Sequence, residues 1–150
     1  MIQKINMKNL STAKDLYNLQ RAAYLVEAKF IGFDDIPPLR ESFEDFLNCN
    51  ETFIGFFEGE ELTGAVSYEI EGNELTICRM VVDPKHFRKG IAGKLLNAVE
   101  EIDRNIQVYK VSTGKDNQPA KNLYQKNGFI LVEDMEVAPG FFISHFEKRK

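Results

Sequence analysis

The stretch Met80-Val81-Val82-Asp83-Pro84-Lys85-His86-Phe87-Arg88-Lys89-Gly90-Ile91-Ala92-Gly93-Lys94-Leu95-Leu96 sets an apolar strand, a basic glycine-punctuated loop and an amphipathic helix in immediate succession. The first turn of a helix leaves backbone N–H groups without partners and carries partial positive charge. Small residues at Gly90, Ala92 and Gly93 let an anion approach that backbone, and Arg88, Lys89 and Lys94 add formal charge beside it. This predicts a site for a phosphorylated ligand, above all a pyrophosphate, held by main-chain amides of residues 88–93.

A second segment, Asn117-Gln118-Pro119-Ala120-Lys121-Asn122-Leu123-Tyr124-Gln125-Lys126-Asn127-Gly128-Phe129, reads as a short helix. Asp116 or Asn117 caps its start, Pro119 fits the first turn, and Asn127-Gly128 stops it. It carries Tyr124, a phenol that can donate a hydrogen bond or a proton at short range.

The elements that must position these residues follow from periodicity. Residues 1–6 form a short strand. Thr12 and Asp15 resemble a capping box, and Leu16, Leu19, Ala23, Val26 and Phe30 continue at helical spacing, which predicts a helix from 12 to about 29. Residues 32–38 break the pattern, and Leu39, Phe43, Phe46 and Leu47 mark a second, shorter helix. Strands at 52–57, 62–71 and 74–82 are joined by short turns into an antiparallel meander. A helix from Ile91 to about 103, a strand at 108–112, the Tyr124 helix, and strands at 129–137 and 141–147 complete the order β-α-α-β-β-β-α-β-α-β-β.

The bulk numbers bound the rest. A chain of 150 residues with 43% hydrophobic content has the size of one domain with one core. A net charge of −4 disfavours a nucleic-acid partner. No apolar run approaches the roughly 20 residues that span a bilayer, and the N-terminus lacks the apolar stretch of a secretory signal, so a cytoplasmic protein without a membrane partner is expected. Neither Cys49 nor Cys78 has a ligand spacing, and Cys78, inside an apolar strand pattern, is expected in the core. The two histidines, His86 and His145, are far apart in sequence, so no metal is expected.

Element order and local sequence together resemble the GNAT superfamily of acyl-CoA-dependent N-acyltransferases over nearly the whole chain. The family's phosphate-loop pattern, Gln/Arg-x-x-Gly-x-Gly/Ala after a strand ending in Val-Asp-Pro, is similar to Val82-Asp83-Pro84 followed by Phe87-Arg88-Lys89-Gly90-Ile91-Ala92, with Phe87 in the Gln/Arg slot. The family's later Asn, Leu-Tyr and Gly-Phe pattern matches Asn117, Leu123-Tyr124 and Gly128-Phe129. The resemblance implies an α+β fold, a mostly antiparallel central sheet of about seven strands flanked by four helices. It also implies acetyl-CoA as co-substrate, bound by Met80, Val81, Val82, the loop Arg88, Lys89, Gly90, Ile91, Ala92 and Gly93, and Asn117. Met80, Val81 and Val82 would offer backbone where the fourth strand diverges from the fifth, and Tyr124 would protonate the leaving thiolate or hydrogen-bond to it.

The same resemblance places the acceptor pocket among the first two helices, their connection and the last two strands. Tyr24, Glu27, Phe30, Glu69 and Phe142 are the candidate substrate residues, with Asp34, Asp35, Phe141 and His145 nearby. The acidic members suit a cationic amine and the aromatics an apolar body. The base that deprotonates the amine stays open. Relatives place a glutamate at the end of the fifth strand, where Ser112 stands, or near the start of the fourth, where Thr76 aligns beside Glu74; Glu69, Glu27 and a water chain are further candidates. The expected activity is acetyl transfer to an amine of a small molecule or peptide, and pairing of two copies is an expectation from the family. A non-catalytic acyl-CoA sensor is the alternative. A mononucleotide-binding domain fits the loop but not the meander before it.

Overall fold

In the computed structural model, residues 1–32, 37–87 and 89–150 are described, with backbone alone at 30, 31, 37 and 38. The elements run β1 (Ile2–Lys4), α1 (Leu10–Ile31), α2 (Pro37–Arg40), α3 (Phe43–Leu47), β2 (Thr52–Glu58), β3 (Glu61–Glu71), β4 (Glu74–Val82), a 3-10 turn (Pro84–His86), α4 (Ile91–Val99), β5 (Val108–Gly114), α5 (Gln118–Lys126), β6 (Ile130–Ala138) and β7 (Phe141–Arg149). The seven strands form one sheet in the order β1-β2-β3-β4-β5-β7-β6, antiparallel except where β4 meets β5.

Several boundaries differ from the sequence reading. Asn9, not Thr12, caps α1, its side chain accepting from the Thr12 N–H. The extra turn brings Ala13 into the same fully buried stripe as Leu16. The second predicted helix is divided into α2 and α3, because Ser42 starts a new helix by accepting from the Asp45 N–H. α4 stops at Val99 rather than near 103, and β5 continues two residues past Ser112.

Two cores flank the sheet. On one side α4 and α5 cover Val66, Leu75, Ile77, Tyr109, Val111 and Phe146. On the other, α1 to α3 cover Phe53, Ala65 and Val81. Gly64 lets α4 sit close, since a Cβ there would come within 2.7 Å of the Ile91 side chain.

A bulge in β4 decides which face its second half shows. Tyr68 pairs with Ile77 but Ser67 pairs with Arg79, which leaves Cys78 as the extra residue. Strand residues two apart normally share a face. Here Ile77 packs with α4 and α5, while Val81, four residues on, packs under α1. The bulge has turned the strand over, as such insertions do. Cys78 is therefore exposed rather than in the core, and Arg79 faces α1.

The pairing of β4 with β5 is short: Glu74, Leu75 and Thr76 meet Val108, Tyr109 and Lys110, and the register ends there. Beyond it the two parallel strands separate, and the β5-facing edge of β4 from the bulge onward is left open. Among the described residues no helix is long and apolar enough to cross a membrane.

Candidate active site

The strand-to-helix turn after β4 forms as its residue types require. Asp83 accepts from the Lys85 N–H and starts the 3-10 turn. Gly90 then adopts φ +74°, a conformation costly for other L-residues, and caps α4 without a side-chain hydrogen bond. The Gly90 carbonyl takes the Lys94 N–H, the first bond of the helix. The amides of Ile91, Ala92 and Gly93 precede that bond and have no acceptor in the helix. A Cβ at Gly90 or Gly93 would meet nothing within 4 Å, so both border open space. These features fit a pyrophosphate.

Two cavities meet behind this turn. One, about 590 Å³, runs from Phe87, Gly90 and Gly93 along Met80, Val81 and Val82. The other, about 580 Å³, lies between Arg79, Ser112 and Phe141. They share Tyr24, Glu27, Met80, Asn117, Ala120 and Tyr124. The gap opened by the parting of β4 and β5 is the passage between them.

Tyr124 stands at that passage. Its ring is buried, with Phe129 and Phe146 at 5.9 and 6.0 Å between centroids. Burial first, and then the charge of Glu27, push its phenol above the ordinary tyrosine range, so it stays protonated at neutral pH. Tyr24, from α1, is raised for the same two leading reasons. Glu27 lies three residues after Tyr24, on the same inward stripe of α1. Burial raises its carboxyl above the usual carboxylate value, while hydrogen bonding from Asn117 and Thr113 pulls the other way. Thr113 Oγ1 donates to Glu27 Oε1 at 3.5 Å, a long contact, and accepts from Asn117 Nδ2 at 3.3 Å. Asn117 also caps α5, accepting from the Ala120 N–H at 3.3 Å. Cap and cavity wall are thus one residue.

The profile of the acetyltransferase (GNAT) family matches residues 13–129. The chain belongs to this family. YqkA of Bacillus subtilis (strain 168), a UPF0157 protein, is 38% identical over 153 residues, taking in 100% of this chain and 45% of that protein. Streptothricin acetyltransferase of Escherichia coli is 30% identical over 101 residues, 64% of this chain and 58% of that protein. The chain spans about half the length of these curated relatives. Among solved structures, the PaiA N-acetyltransferase of Thermoplasma acidophilum in complex with coenzyme A shares the fold, with a TM-score of 0.81 at 22% identity over 100% of this chain and 98% of that one.

In this GNAT chain most of the sequence-predicted loop and strand residues converge. Met80, Val81, Val82, Gly90, Ile91, Ala92 and Gly93 line the first cavity, and Asn117 and Tyr124 line both. Phe87, in the Gln/Arg slot, is 44% exposed on the wall of the first cavity. Lys89 is not on either wall. Its Nζ is turned to His86 Nδ1 at 2.9 Å and Glu58 at 3.5 Å, where opposite charge holds it. Arg88, Phe33, Asp34, Asp35 and Ile36 lie outside the described residues, as do the side chains of Phe30, Ile31, Pro37 and Pro38.

On the acceptor side, Tyr24 and Glu27 are in place, but Glu69 and Phe142 are not. Glu69 pairs with Thr76 on the exposed reach of β3. Phe142 points away because β7 alternates: Phe141 and Ile143 face the cavity, and Phe142 lies under Lys115 Nζ at 5.1 Å. Glu74 is held by Lys110 at 3.0 Å, at the closed end of the β4–β5 pair. Ser112 lines the acceptor cavity, its Oγ 2.6 Å from His145 Nδ1. Near the loop, Glu61, Asp83 and His86 bring one ligand atom each to within 4.8 Å of one another, a grouping that the separation of the histidines in sequence did not predict.

Sequence reasoning missed Thr113, because the strand was ended at Ser112; the run Val111-Ser112-Thr113 was the available signal. Arg79 was missed too, because only the bulge turns it toward α1 and the acceptor cavity.

Proposed function

We propose that the protein transfers the acetyl group of acetyl-CoA to an amine of a small molecule or peptide. The observation that carries this reading is the meeting of the two cavities at Tyr124 and Glu27, with the unpartnered amides of α4 at the outer end of one of them.

The amides of Ile91, Ala92 and Gly93 hold the diphosphate, helped by the partial positive charge of the helix start. The open edge of β4 at Met80, Val81 and Val82 offers backbone groups to the amides of the pantetheine arm, as an added strand would. Acetyl-CoA supplies an acetyl group already activated as a thioester. A β4 N–H near the junction stabilises the charge that develops on the thioester oxygen, at about 3 kcal/mol per well-placed donor. Tyr124, kept protonated by its surroundings, donates its proton toward the departing sulfur.

Isothermal calorimetry with CoA and acetyl-CoA tests the first half. Thiol release from acetyl-CoA with spermidine, tyramine, alanyl-alanine amide and concentrated methylamine tests the second. Binding together with amine-dependent thiol release is expected. No binding at millimolar concentration overturns the site; binding without thiol release on any of the four overturns the catalytic reading.

A further inference from the structure

We propose that Glu27 is the base that takes a proton from the acceptor amine, a role moved to the first helix because β4 and β5 offer no carboxylate at the site. The inference rests on the acetyl-transfer reading.

Among the described residues, Glu27 is the one carboxylate on the walls of either cavity, and it is on both. Among the described residues the alternatives are occupied or misplaced. Ser112 stands where a β5 glutamate would lie, and Glu74 is tied to Lys110 outside the cavities. Glu69 is on neither wall. Glu41 and Glu51 are on neither wall, and each places both carboxylate oxygens on Arg79.

The placement of Glu27 follows from the sequence. Gln20, Tyr24 and Glu27 recur along one stripe of α1, so the helix that Gln20 anchors to Arg79 delivers Glu27 two turns on, about 10 Å away. Thr113, itself held by Asn117, steers the Oε1 oxygen of Glu27. Burial raises the carboxyl toward working pH, which favours a base. The titratable or charged groups on the cavity walls around it are Tyr24 on α1, Tyr124 on α5, His86 at the loop, Cys78 and Arg79 on β4, and Arg40 on α2. The Arg79 charge is matched by Glu41 and Glu51.

The step balances. An ammonium acceptor gives one proton to the Glu27 carboxylate, and its freed lone pair forms the C–N bond as the C–S bond breaks. Sulfur takes the Tyr124 proton, the nitrogen's surplus proton restores the phenol, and Glu27 releases its proton to solvent. The products are amide, thiol and one proton.

The test is Glu27→Gln, first checked by thermal melt and by acetyl-CoA calorimetry, both expected to show a folded protein with unchanged affinity. With spermidine, tyramine and methylamine its kcat at neutral pH should fall roughly 100-fold, and the acid limb set by Glu27 should give way to a rise that tracks the free-amine fraction of the acceptor. Methoxyamine, neutral at pH 7, should lose less than about 10-fold, because its lone pair is already free. Thr113→Val, which removes one of the two side-chain bonds that favour the charged carboxylate, should move the acid limb to higher pH. An unchanged kcat, a change confined to KM, or an equal loss with methoxyamine overturns the inference while leaving acetyl transfer standing. A wild-type protein that binds acetyl-CoA without turnover overturns the parent reading, and this one with it.

Discussion

Arg79 and Glu41 meet through two parallel hydrogen bonds, Nη1 to Oε1 at 2.6 Å and Nη2 to Oε2 at 2.9 Å. The remaining three N–H donors of the guanidinium go to Glu51 Oε1 at 2.9 Å, Glu51 Oε2 at 3.1 Å and Gln20 Oε1 at 2.8 Å. A guanidinium has five donors, so none is left for a ligand. Arg79 lines the acceptor cavity without offering a site for a substrate carboxylate. Its work is to hold α1 and the chain around α3 against β4, with its planar group near the rings of Phe46 and Phe53.

Arg79→Met should therefore destabilise the fold by about 3–5 kcal/mol, since it leaves two largely buried carboxylates unpaired. Hydrogen bonding from Arg79 is the leading reason that the Glu41 carboxyl titrates below its usual range. A depressed folded-state pKa gives stability that is complete above the unfolded value and is lost as pH falls through the folded one. Wild-type melts recorded from pH 7 downward should show that acid loss, and the variant should show less of it. A variant as stable as the wild type at pH 7 would contradict the pairing.

Gly93 separates binding from folding more cleanly than Gly90. Gly90 has a positive φ, so any substitution there strains the backbone. Gly93 sits inside α4, with open space where its Cβ would be. Gly93→Leu should keep or raise the melting temperature, because glycine costs a helix roughly 1 kcal/mol relative to good formers. It should also weaken CoA binding about 10-fold or more by filling the approach to the amides. Calorimetry and a melt on the same sample check both halves.

Tyr124→Phe should lower kcat roughly 100-fold and leave the KM for acetyl-CoA within about 3-fold. No described residue bonds the hydroxyl, so its removal leaves no broken pair and the melting temperature should hold. Steady-state kinetics and a melt decide; equal turnover removes Tyr124 from the chemistry.

What the sequence made legible was local. The meander, the α4 start and the Asn117 cap follow from turn residues, apolar spacing and helix-end chemistry within a few positions. The misses depend on pairing between distant segments. Cys78 reads as core under strict alternation, and nothing near it announces the bulge that Ser67 and Tyr68 reveal from the neighbouring strand. Phe141 and Phe142 are equivalent in sequence, and only the β7 register decides which one enters the cavity. Glu27 was legible as one acid among several. Its distinction arises where the parting of β4 and β5 lets Thr113 reach α1.

Glu27→Gln should stabilise the protein above the usual carboxylate range even as it removes activity. Burial raises the Glu27 carboxyl in the folded state, so folding favours the protonated form. A raised acid pKa contributes stability that is complete below the unfolded value and is lost as pH rises through the folded one. Once the pH has risen through the folded-state titration, the wild-type carboxylate is charged and poorly solvated, whereas glutamine carries no charge and its amide oxygen can still accept from Thr113. Measured at pH 4 and pH 8, the variant's melting temperature should gain on the wild type's as the pH rises. A site held charged for chemistry at a cost in stability is the usual trade. If the two proteins melt alike at both pH values, the carboxylate is better solvated than its place between Tyr24 and Tyr124 implies.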